Sequence, residues 1–380
     1  MTEEMISICK EKTTDNGYEK FGFHNSPLSK KIFNVLRQLS KNQKVQIQQK
    51  EIYGIYITEI NFKPASGYLV SSNGIAINKA MSLLAASYEF IERYMGSIHN
   101  TALKKEVLNG HLLGQKTIDG LSVNSNGLAI ANSFLESKVF SLLELIERDT
   151  FLNYWYLKKK PKIVDSSTAL ENNKYYKYLR KSGYSIRILS LQNEFNVEIV
   201  WVLITANSDK QVFSSYTTTG CSFTFKSAVN SALKEAFYGV ATYTNKAAIL
   251  DIGENALKHG PQIISDHPCI YALPQMLSNF DFVKNINRIN KKYTNDLISV
   301  NIGNWYQEQM KYISQKGWNI NSYSLETKSL RNKGLYVTRT EIPELQSLVF
   351  GKDSLSKINF KRLRSVSTKS PSEFSLHPYT

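Results

Sequence analysis

The sequence predicts a mixed α/β fold, because segments with strand and helix patterns alternate through the middle of the chain. Its 380 residues exceed what one simple core supports, so a large α/β unit or two fused lobes is expected. Hydrophobic residues make up 42% and aromatic residues 12%, which excludes a disordered or fibrous chain. Since no linker rich in proline, glycine or serine divides the chain, we expect one domain over 51–380 after a partly irregular N-terminal segment over 1–50.

The predicted elements follow the local hydrophobic pattern. Alternation of apolar and polar residues, or a short apolar run, predicts strands at 55–62, 184–191, 197–206, 297–302 and 335–342. Apolar residues at helical spacing predict helices at 28–39, 75–94, 134–155 and 226–243. Pro343 is expected to end the last strand, since proline cannot donate to a ladder.

Charge and cysteine content limit the class of protein. Lysine and arginine total 47 against 32 aspartates and glutamates, and a net charge of +15 favours an anionic partner such as a nucleotide, a nucleic acid, an acidic peptide or a membrane surface. Cys9, Cys221 and Cys269 lie far apart, without metal-ligand spacing or an even-numbered disulfide framework, which fits a reducing cytosol. No segment has the character of a signal peptide or a membrane span, so the sequence predicts a soluble cytoplasmic protein.

An internal repeat is the most informative feature. A Ser-Asn-Gly sequence at 72–74 precedes Glu-x-Ile-Glu-Arg at 89–93, and the same order recurs at 125–127 and 144–148. Each copy is interpreted as a turn, an apolar helix and a charged motif near the end of that helix. The spacing within the copies differs by only two residues. The repeat therefore predicts a site with two-fold pseudo-symmetry.

The repeated motif places carboxylates together. Residues three and four apart share a helix face, so Glu89, Glu92 and Arg93 project together. A solvated Glu–Arg face would explain one such motif, but the apolar residues around both motifs indicate buried helices. Buried carboxylates need a cation, and each arginine can serve only one of them. A bound Mg²⁺ would compensate the carboxylates that have no arginine. Glu136 to Glu147 would span about 16 Å of one helix, which is enough to line a triphosphate.

Other routes to chemistry have weaker signals. The chain has neither a Walker loop nor a GxGxxG or GxSxG motif, and its six histidines are scattered. Cys221 follows a run of small residues at 217–220 that is interpreted as a turn, and it fits a buried residue better than a nucleophile.

At this point the motifs resemble the YcaO family. The resemblance rests on the second repeat with Asn132 and Glu136, and on the first Glu-x-x-Glu-Arg helix. Gly220 followed by 231–236 is similar to the family's third, glutamate-bearing helix, and 337–345 with 350–351 resembles its late strand and Pro-x-Leu turn. The similarity runs from about Tyr53 to the end of the sequence.

The resemblance implies a YcaO-type fold whose pseudo-two-fold repeat surrounds an ATP–Mg²⁺ site. In the heterocycle-forming branch, ATP activates a backbone amide of a ribosomally made precursor peptide, and a Cys, Ser or Thr side chain closes a thiazoline or oxazoline. The nucleophile then belongs to the substrate. The implied cofactor-binding residues are Glu89, Glu92, Arg93, Asn132, Glu136, Glu144, Glu147, Arg148 and Glu235. The implied metal ligands are Glu89, Glu136, Glu144 and Glu147.

This chain departs from the family pattern at Ala85, Ala129, Ser231 and Tyr238, where relatives commonly have Ser, Ser, Arg and Gln. Its last residues keep one proline, Pro378, of a frequent Pro-x-Pro-x-Pro ending. Three alternatives to the cyclodehydratase therefore stay open. They are a thioamide-forming enzyme with an external sulfur nucleophile, a scaffold subunit without ATP turnover, and a basic nucleic-acid-binding protein, which would leave the paired glutamates unexplained.

The resemblance also implies partners. Heterocycle-forming members are often helped by a separate protein with a ubiquitin-activation-type fold, which holds the leader of the precursor peptide, and a flavin dehydrogenase can join the same complex. An acidic leader would suit the +15 charge. We expect neither nucleic acid nor a membrane as a partner, and a role in bacteriocin or related peptide biosynthesis.

Overall fold

The computed structural model describes residues 32, 34–35, 45–62, 70–108, 125–164, 170–289, 291, 301–351, 355–363 and 375–379. The strands are β1 (Val45–Ile52), β2 (Ile55–Phe62), β3 (Val70–Ala76), β4 (Leu128–Ala131), β5 (Lys162–Val164), β6 (Tyr184–Leu191), β7 (Glu198–Ala206), β8 (Ser215–Ser222), β9 (Arg288–Ile289), β10 (Asn321–Ser324) and β11 (Tyr336–Glu341). The α-helices are α1 (Lys79–Leu108), α2 (Phe134–Leu157), α3 (Lys174–Lys181), α4 (Phe225–Thr242), α5 (Lys246–His259), α6 (Asp266–Tyr271), α7 (Ile302–Gln315) and α8 (Lys328–Arg331). A 3₁₀ helix spans Pro274–Val283.

The strands form three separate sheets, in the orders β1-β2-β3, β10-β11-β4 and β8-β7-β6-β5-β9. All neighbouring strands are antiparallel except β5 and β9, which are parallel. The predicted mixed α/β class is thereby confirmed. None of the helices in the described part of the chain has the length and apolar character that a bilayer crossing needs.

The sequence predicted several elements closely. The strands at 55–62 and 184–191 are β2 and β6, and the helices at 134–155 and 226–243 are α2 and α4 within two residues at each end. The strands at 197–206 and 335–342 are β7 and β11. These segments have strong periodic or continuous apolar patterns, and most of their side chains are buried.

Other predictions were wrong. The expected helix at 75–94 begins only at Lys79, because residues 75–76 belong to β3. The run at 217–220 is part of β8 rather than a turn, since its threonines pair with β7. The division of the chain between residues 50 and 51 stays a prediction, and β1 runs across that position. Ile302 begins α7 instead of ending a strand, and 297–300 lie outside the described residues. Cys9 and most of the helix expected at 28–39 also lie outside them.

The internal repeat has three members rather than two. In each, an antiparallel pair of strands precedes or flanks a helix: β2, β3 and α1 form repeat one, β11, β4 and α2 repeat two, and β7, β8 and α4 repeat three. The helices begin with equivalent side-chain caps at Asn78, Ser133 and Thr224. A hydroxyl-to-carbonyl hydrogen bond across fourteen residues occurs in every repeat. Ser72 and Thr218 in the strands donate to Ala86 and Ala232 in the helices, whereas in repeat two Ser141 of the helix donates to Gly127, just before β4.

The three cores lie between successive repeats. Apolar residues of α1 pack with β4 and β11 of the second repeat. Those of α2 pack with β6 and β7, around the fully buried Trp155 and Trp201. Those of α4 pack with β2 and β3, including Ile57 and Ile75, which joins the third repeat to the first. Each repeat therefore buries its helix partly against a neighbour, and the acidic ends of the helices are brought together.

Glycine at one strand position allows this packing. In repeats one and three, Gly74 and Gly220 face the helix backbone, and a Cβ on Gly74 would lie 1.9 Å from the carbonyl oxygen of Ser82.

We expect Gly74→Ala to lower the free energy of unfolding by about 2–3 kcal/mol, because strand and helix must separate. Gly303→Ala, whose Cβ would meet side-chain atoms no closer than 3.3 Å, is the control and should change it by less than about 1 kcal/mol. Equal effects in urea denaturation would contradict this explanation.

Candidate functional site

Two glutamate–arginine pairs lie on α1 and α2. Glu89 pairs with Arg93 at 2.6 Å and Glu144 with Arg148 at 2.7 Å. The second oxygen of each carboxylate accepts a backbone N–H from the strand before the helix, sixteen residues earlier in both repeats. The charge of each pair is thus compensated within its own repeat. This is the pairing of one arginine with one carboxylate that the sequence predicted.

The arginines reveal the true alignment of the repeats. Arg93 donates to the carbonyl of Ser71, and Arg148 donates to the side-chain oxygen of Asn126, both across twenty-two residues. The two Ser-Asn-Gly sequences are therefore not equivalent in space. The first lies inside β3, whereas Asn126 and Gly127 of the second form a turn before β4. This shift explains why the spacing between Ser-Asn-Gly and Glu-x-Ile-Glu-Arg differs by two residues between the copies. The sequence-based interpretation of both Ser-Asn-Gly segments as turns was wrong for the first copy.

The second glutamate of each motif reaches the next repeat. Glu92 on α1 accepts the backbone N–H of Ile130 in β4 at 3.0 Å. Glu147 on α2 accepts the hydroxyl of Thr219 in β8 at 2.5 Å. These contacts connect the repeats through hydrogen bonds to carboxylates, which are stronger than those between neutral groups. They also fix the carboxylates near the junctions of the three repeats.

The third repeat departs from the other two. Glu235 occupies the helix position of Glu89 and Glu144, but the arginine position is Gly239 and the position of Glu92 and Glu147 is Tyr238. An arginine could not be accommodated at 239, because even a Cβ there would lie 2.2 Å from the ring of Tyr216. Within the described part of the chain, the carboxylate of Glu235 makes no hydrogen bond or ion pair.

Electrostatics show that the acidic side chains share one region. Burial raises the pKa of Glu235 most; Lys234 opposes the rise, and Glu89 and Glu147 add to it. The pKa of Arg93 is raised chiefly by Glu89, and further by Glu92, Glu235 and Glu144. Five carboxylates therefore interact around two guanidinium groups, and we call this set the carboxylate cluster: Glu89, Glu92, Glu144, Glu147 and Glu235, with Arg93 and Arg148.

The tail, residues 375–379, enters the same region. The hydroxyl of Tyr379 donates to Oε1 of Glu147 at 3.1 Å and lies 3.1 Å from the hydroxyl of Thr219, which donates to the same carboxylate. Burial and the charge of Glu147 raise the pKa of Tyr379, so its phenol stays protonated and acts as a donor. Thr219 and Tyr379 had not been predicted as site residues. They are 72 and 232 residues from Glu147 in sequence, and no local pattern links them.

Asn132 and Glu136 occupy the start of α2. Ser133 caps the backbone N–H of Glu136, whose side chain accepts the N–H of Asn132 at 3.2 Å. This reciprocal arrangement resembles a capping box and gives Glu136 a structural role at the positive end of the helix. The side chain of Asn132 accepts a hydrogen bond from Tyr88 on α1 at 2.8 Å. Glu136 lies about 12 Å along the helix from Glu144, at ~1.5 Å per residue.

Two departures from the family pattern have a packing explanation. Ala129 is fully buried at the position that Gly74 and Gly220 occupy in the other repeats, opposite Thr338 in β11. A small residue is required there for the close approach of strand and helix. Ser231 on α4 lies next to Gly220 in the equivalent strand–helix contact of repeat three. A Cβ added to Gly220 would lie 3.0 Å from the Cβ of Ser231. Ala129 therefore belongs to the core of its repeat.

Comparison with known families identifies the class of protein. Residues 112–346, more than half of the chain, match the family described as YcaO cyclodehydratase, ATP- and Mg²⁺-binding. The chain therefore belongs to the YcaO family. ATP and Mg²⁺ are accordingly the cofactors that it shares with this family. No curated protein matches it.

Solved structures support the same fold. YcaO from Methanopyrus kandleri bound with AMPPCP and Mg²⁺ is similar with a TM-score of 0.57 and 14% identity, covering 84% of this chain and 91% of that one. A component of the E. coli microcin synthetase McbBCD complex with pro-MccB17 bound is similar with a TM-score of 0.57 and 14% identity. The match covers 88% of this chain and 96% of that one. A heterocyclase in complex with substrate and cofactor gives 0.59 and 12%, and this chain spans 53% of its length.

The donor set of the carboxylate cluster fits Mg²⁺. Glu235, whose carboxylate makes no ion pair with any described residue, offers oxygen ligands and carries a charge that its neighbours Glu89 and Glu147 repel. Among the described residues, no three acidic, histidine or cysteine side chains form a ready-made metal site. Mg²⁺ is usually held by one or two carboxylates together with phosphates and water, so it does not need a dedicated protein cage.

Proposed function

We propose that the chain is the ATP-dependent cyclodehydratase subunit of a system that forms azolines in a ribosomally made peptide. The observation that carries the proposal is the carboxylate cluster of a YcaO chain, in which five carboxylates share two arginines and Glu235 makes no hydrogen bond or ion pair in the described part. An excess of anionic oxygens in a half-buried region is costly unless a cation binds there. Bound Mg²⁺ with the anionic nucleotide would offset that cost.

The residues would divide the work between them. Glu235, with Glu89, Glu144 and Glu147, is the set we propose to hold Mg²⁺, while Arg93 and Arg148 offer guanidinium donors to phosphate oxygens. Glu92, Asn132 and Glu136 fix the helices that carry them through backbone hydrogen bonds. When bound, ATP supplies a phosphoryl group that turns an amide oxygen into a leaving group. The chain would then contribute position and charge stabilisation.

The nucleophile is proposed to come from the substrate peptide. Of the two cysteines in the described residues, Cys269 is buried, and burial raises its pKa to about 11, which leaves the thiol neutral. Cys221 is half-buried in β8. A Cys, Ser or Thr side chain of the peptide would attack its own preceding carbonyl. The partner proteins would be a separate chain with a ubiquitin-activation-type fold that holds the peptide leader, and a flavin dehydrogenase.

Calorimetry with Mg²⁺ and ATP tests the cofactor part of this proposal. Glu147→Gln should weaken binding at least tenfold, because it removes one negative charge while an amide oxygen can still accept from Thr219 and Tyr379. Glu171→Gln, on the exposed surface before α3, is the matched control and should bind like the wild type. If the wild type, with its partner protein present, does not bind Mg–ATP, the enzyme proposal fails and a scaffold role replaces it.

Mass spectrometry of the peptide tests the reaction. A loss of about 18 Da per ring, dependent on ATP, is expected for cyclodehydration. A gain of about 16 Da, dependent on a sulfur source, would instead assign the chain to thioamide formation. ATP binding without any change in the mass of the peptide in the complete complex would contradict both.

A further inference from the structure

The tail is anchored at both ends. Near its start, the carbonyl of Ser375 accepts the indole N–H of Trp155 at 3.1 Å, and the carbonyl of Leu376 accepts the hydroxyl of Tyr271. At its other end, Tyr379 forms a bridge with Thr217 of β8 and contacts Glu147. The tail therefore connects α2, α6 and β8, and its placement decides whether Tyr379 reaches the carboxylate cluster.

Two buried histidines hold the middle of the tail. The rings of His267 on α6 and His377 in the tail stack with centroids 4.5 Å apart and planes 18° apart. Their exposures are 0% and 1%. The ring of Phe350 packs edge-on against both, at 5.1 and 5.3 Å. Both rings are thus shielded from solvent, and either would be costly to charge.

The hydrogen bonds define neutral tautomers. Nε2 of His267 accepts the backbone N–H of Gly351 at 3.3 Å, so Nδ1 carries the proton and donates to the carbonyl of His377 at 3.0 Å. Nε2 of His377 donates to the carbonyl of Val349 at 2.8 Å. Nδ1 of His377 is buried and has no partner in the described part of the chain. A further proton would either face the N–H of Gly351 or occupy that buried, unpartnered nitrogen.

The charged surroundings offset only part of the effect of burial on the histidines. The charge of Asp266 raises the pKa of His267, but burial lowers it by more. On α6, the nearest carboxylate is Asp266, but one of its oxygens accepts the backbone N–H groups of Gln262 and Ile263 at 2.6 and 3.0 Å. The segment at 349–351 contributes backbone groups and the Phe350 ring, and α6 also contributes the neutral phenol of Tyr271. Within the tail, Tyr379 interacts with Glu147 and Arg148 rather than with the rings.

We propose that His267 and His377 form a proton-sensitive latch, which positions the tail at the carboxylate cluster only while both rings are neutral. The direction follows from burial, which lowers the pKa of His267 and lowers that of His377 to about 3. In a released tail, the pKa of a histidine returns to about 6.5. Because the released state then binds more protons, docking is strongest above pH ~7 and weakens as pH falls from about 6.5 towards 3, by up to tenfold per pH unit for each histidine whose ring the release exposes to water.

Release of the latch would change the site. Glu147 would lose the hydrogen bond from Tyr379, and the bridge between the tail and Thr217 would open. Both histidines are therefore positioning residues, which act on Glu147 through the tail. Docking of the tail is measurable without nucleotide or peptide. The latch can therefore be disproved while the proposed function stands, and the proposed function can be disproved while the latch stands.

Hydrogen exchange of the complete chain tests the latch. The protection of the backbone N–H groups at 375–377 and 379, corrected for intrinsic exchange rates, should fall at least tenfold between pH 7.5 and pH 5.5. Protection of α7 at 302–315 should stay constant, which separates release of the tail from acid unfolding. The double variant His267→Gln, His377→Gln cannot be protonated and should show equal tail protection at both pH values. Equal protection in the wild type at both pH values would overturn the proposal.

A second measurement does not depend on a variant that folds. Nitrogen NMR of the wild-type imidazoles should show His267 protonated at Nδ1 and His377 at Nε2 at pH 7.5. As pH falls, charging of these rings should coincide with loss of tail protection. If either ring titrates near pH 6.5 while the tail remains protected, the rings are not the latch and the proposal is rejected.

Discussion

Replacing Arg362 by methionine is expected to lower the free energy of unfolding by about 3–5 kcal/mol. The carboxylate of Asp149, which directly follows the second Glu-x-x-Glu-Arg motif, is 1% exposed and pairs with Arg362 at 2.6 Å. Nε of Arg362 donates to the other oxygen at 3.0 Å, and the backbone N–H of Gln346 donates to it at 2.8 Å. Without the guanidinium, the buried carboxylate keeps only the N–H of Gln346 among the described residues and faces most of the cost of desolvation.

Urea denaturation of three variants separates charge from packing. Lys284→Met removes an exposed ion pair with Asp281 and should change stability by less than about 1 kcal/mol. Adding Asp149→Leu to Arg362→Met should recover part of the loss, because the buried carboxylate that Arg362 compensated is then also gone. A loss below about 1 kcal/mol in Arg362→Met would show that water already solvates this pair.

Asp149 illustrates what the sequence could indicate and what it could not. Arg148 and Asp149 are adjacent in the sequence of the second motif, yet their side chains have different structural roles. Arg148 faces the carboxylate cluster through Glu144, whereas Asp149 ties α2 to segments about two hundred residues further along the chain. A local motif predicts which side chains share a helix face, but not which distant segment covers the opposite face.

The third repeat shows the same limit. At the level of sequence, Glu235 is the only residue of the charged motif that α4 retains, because Tyr238 and Gly239 replace glutamate and arginine. The equivalence becomes visible only in three dimensions, where Gly220 approaches α4 as Gly74 approaches α1. The prediction of a two-fold repeat was therefore incomplete. Burial of α1 and α2 was predictable from their apolar runs, whereas the contribution of Tyr379 depends on where the tail docks.

Replacing Glu235 by glutamine should change binding and stability in opposite directions. Mg–ATP binding should weaken about 30- to 100-fold, because a charge-assisted contact worth about 2–3 kcal/mol is lost. The ligand-free protein should be at least as stable as the wild type at pH 7. The pKa of Glu235 is raised by burial and by Glu89 and Glu147, so the ionised form opposes folding. Below the pKa of the unfolded state, near 4.5, the carboxyl of the wild type is protonated and no longer opposes folding; as pH rises above that value, its charge destabilises the folded state. The higher stability of the variant should therefore disappear near pH 4.

The opposite signs make this prediction specific. Loss of binding together with loss of stability would indicate that Glu235 is a structural residue, whose substitution disturbs the site indirectly. Unchanged binding with raised stability would place the nucleotide elsewhere, despite the excess of carboxylates. Glu254→Gln on the exposed face of α5 is the control, and it should change neither quantity. A group that destabilises the empty protein and strengthens ligand binding is what a cation site requires, because the cation relieves the repulsion that folding imposed.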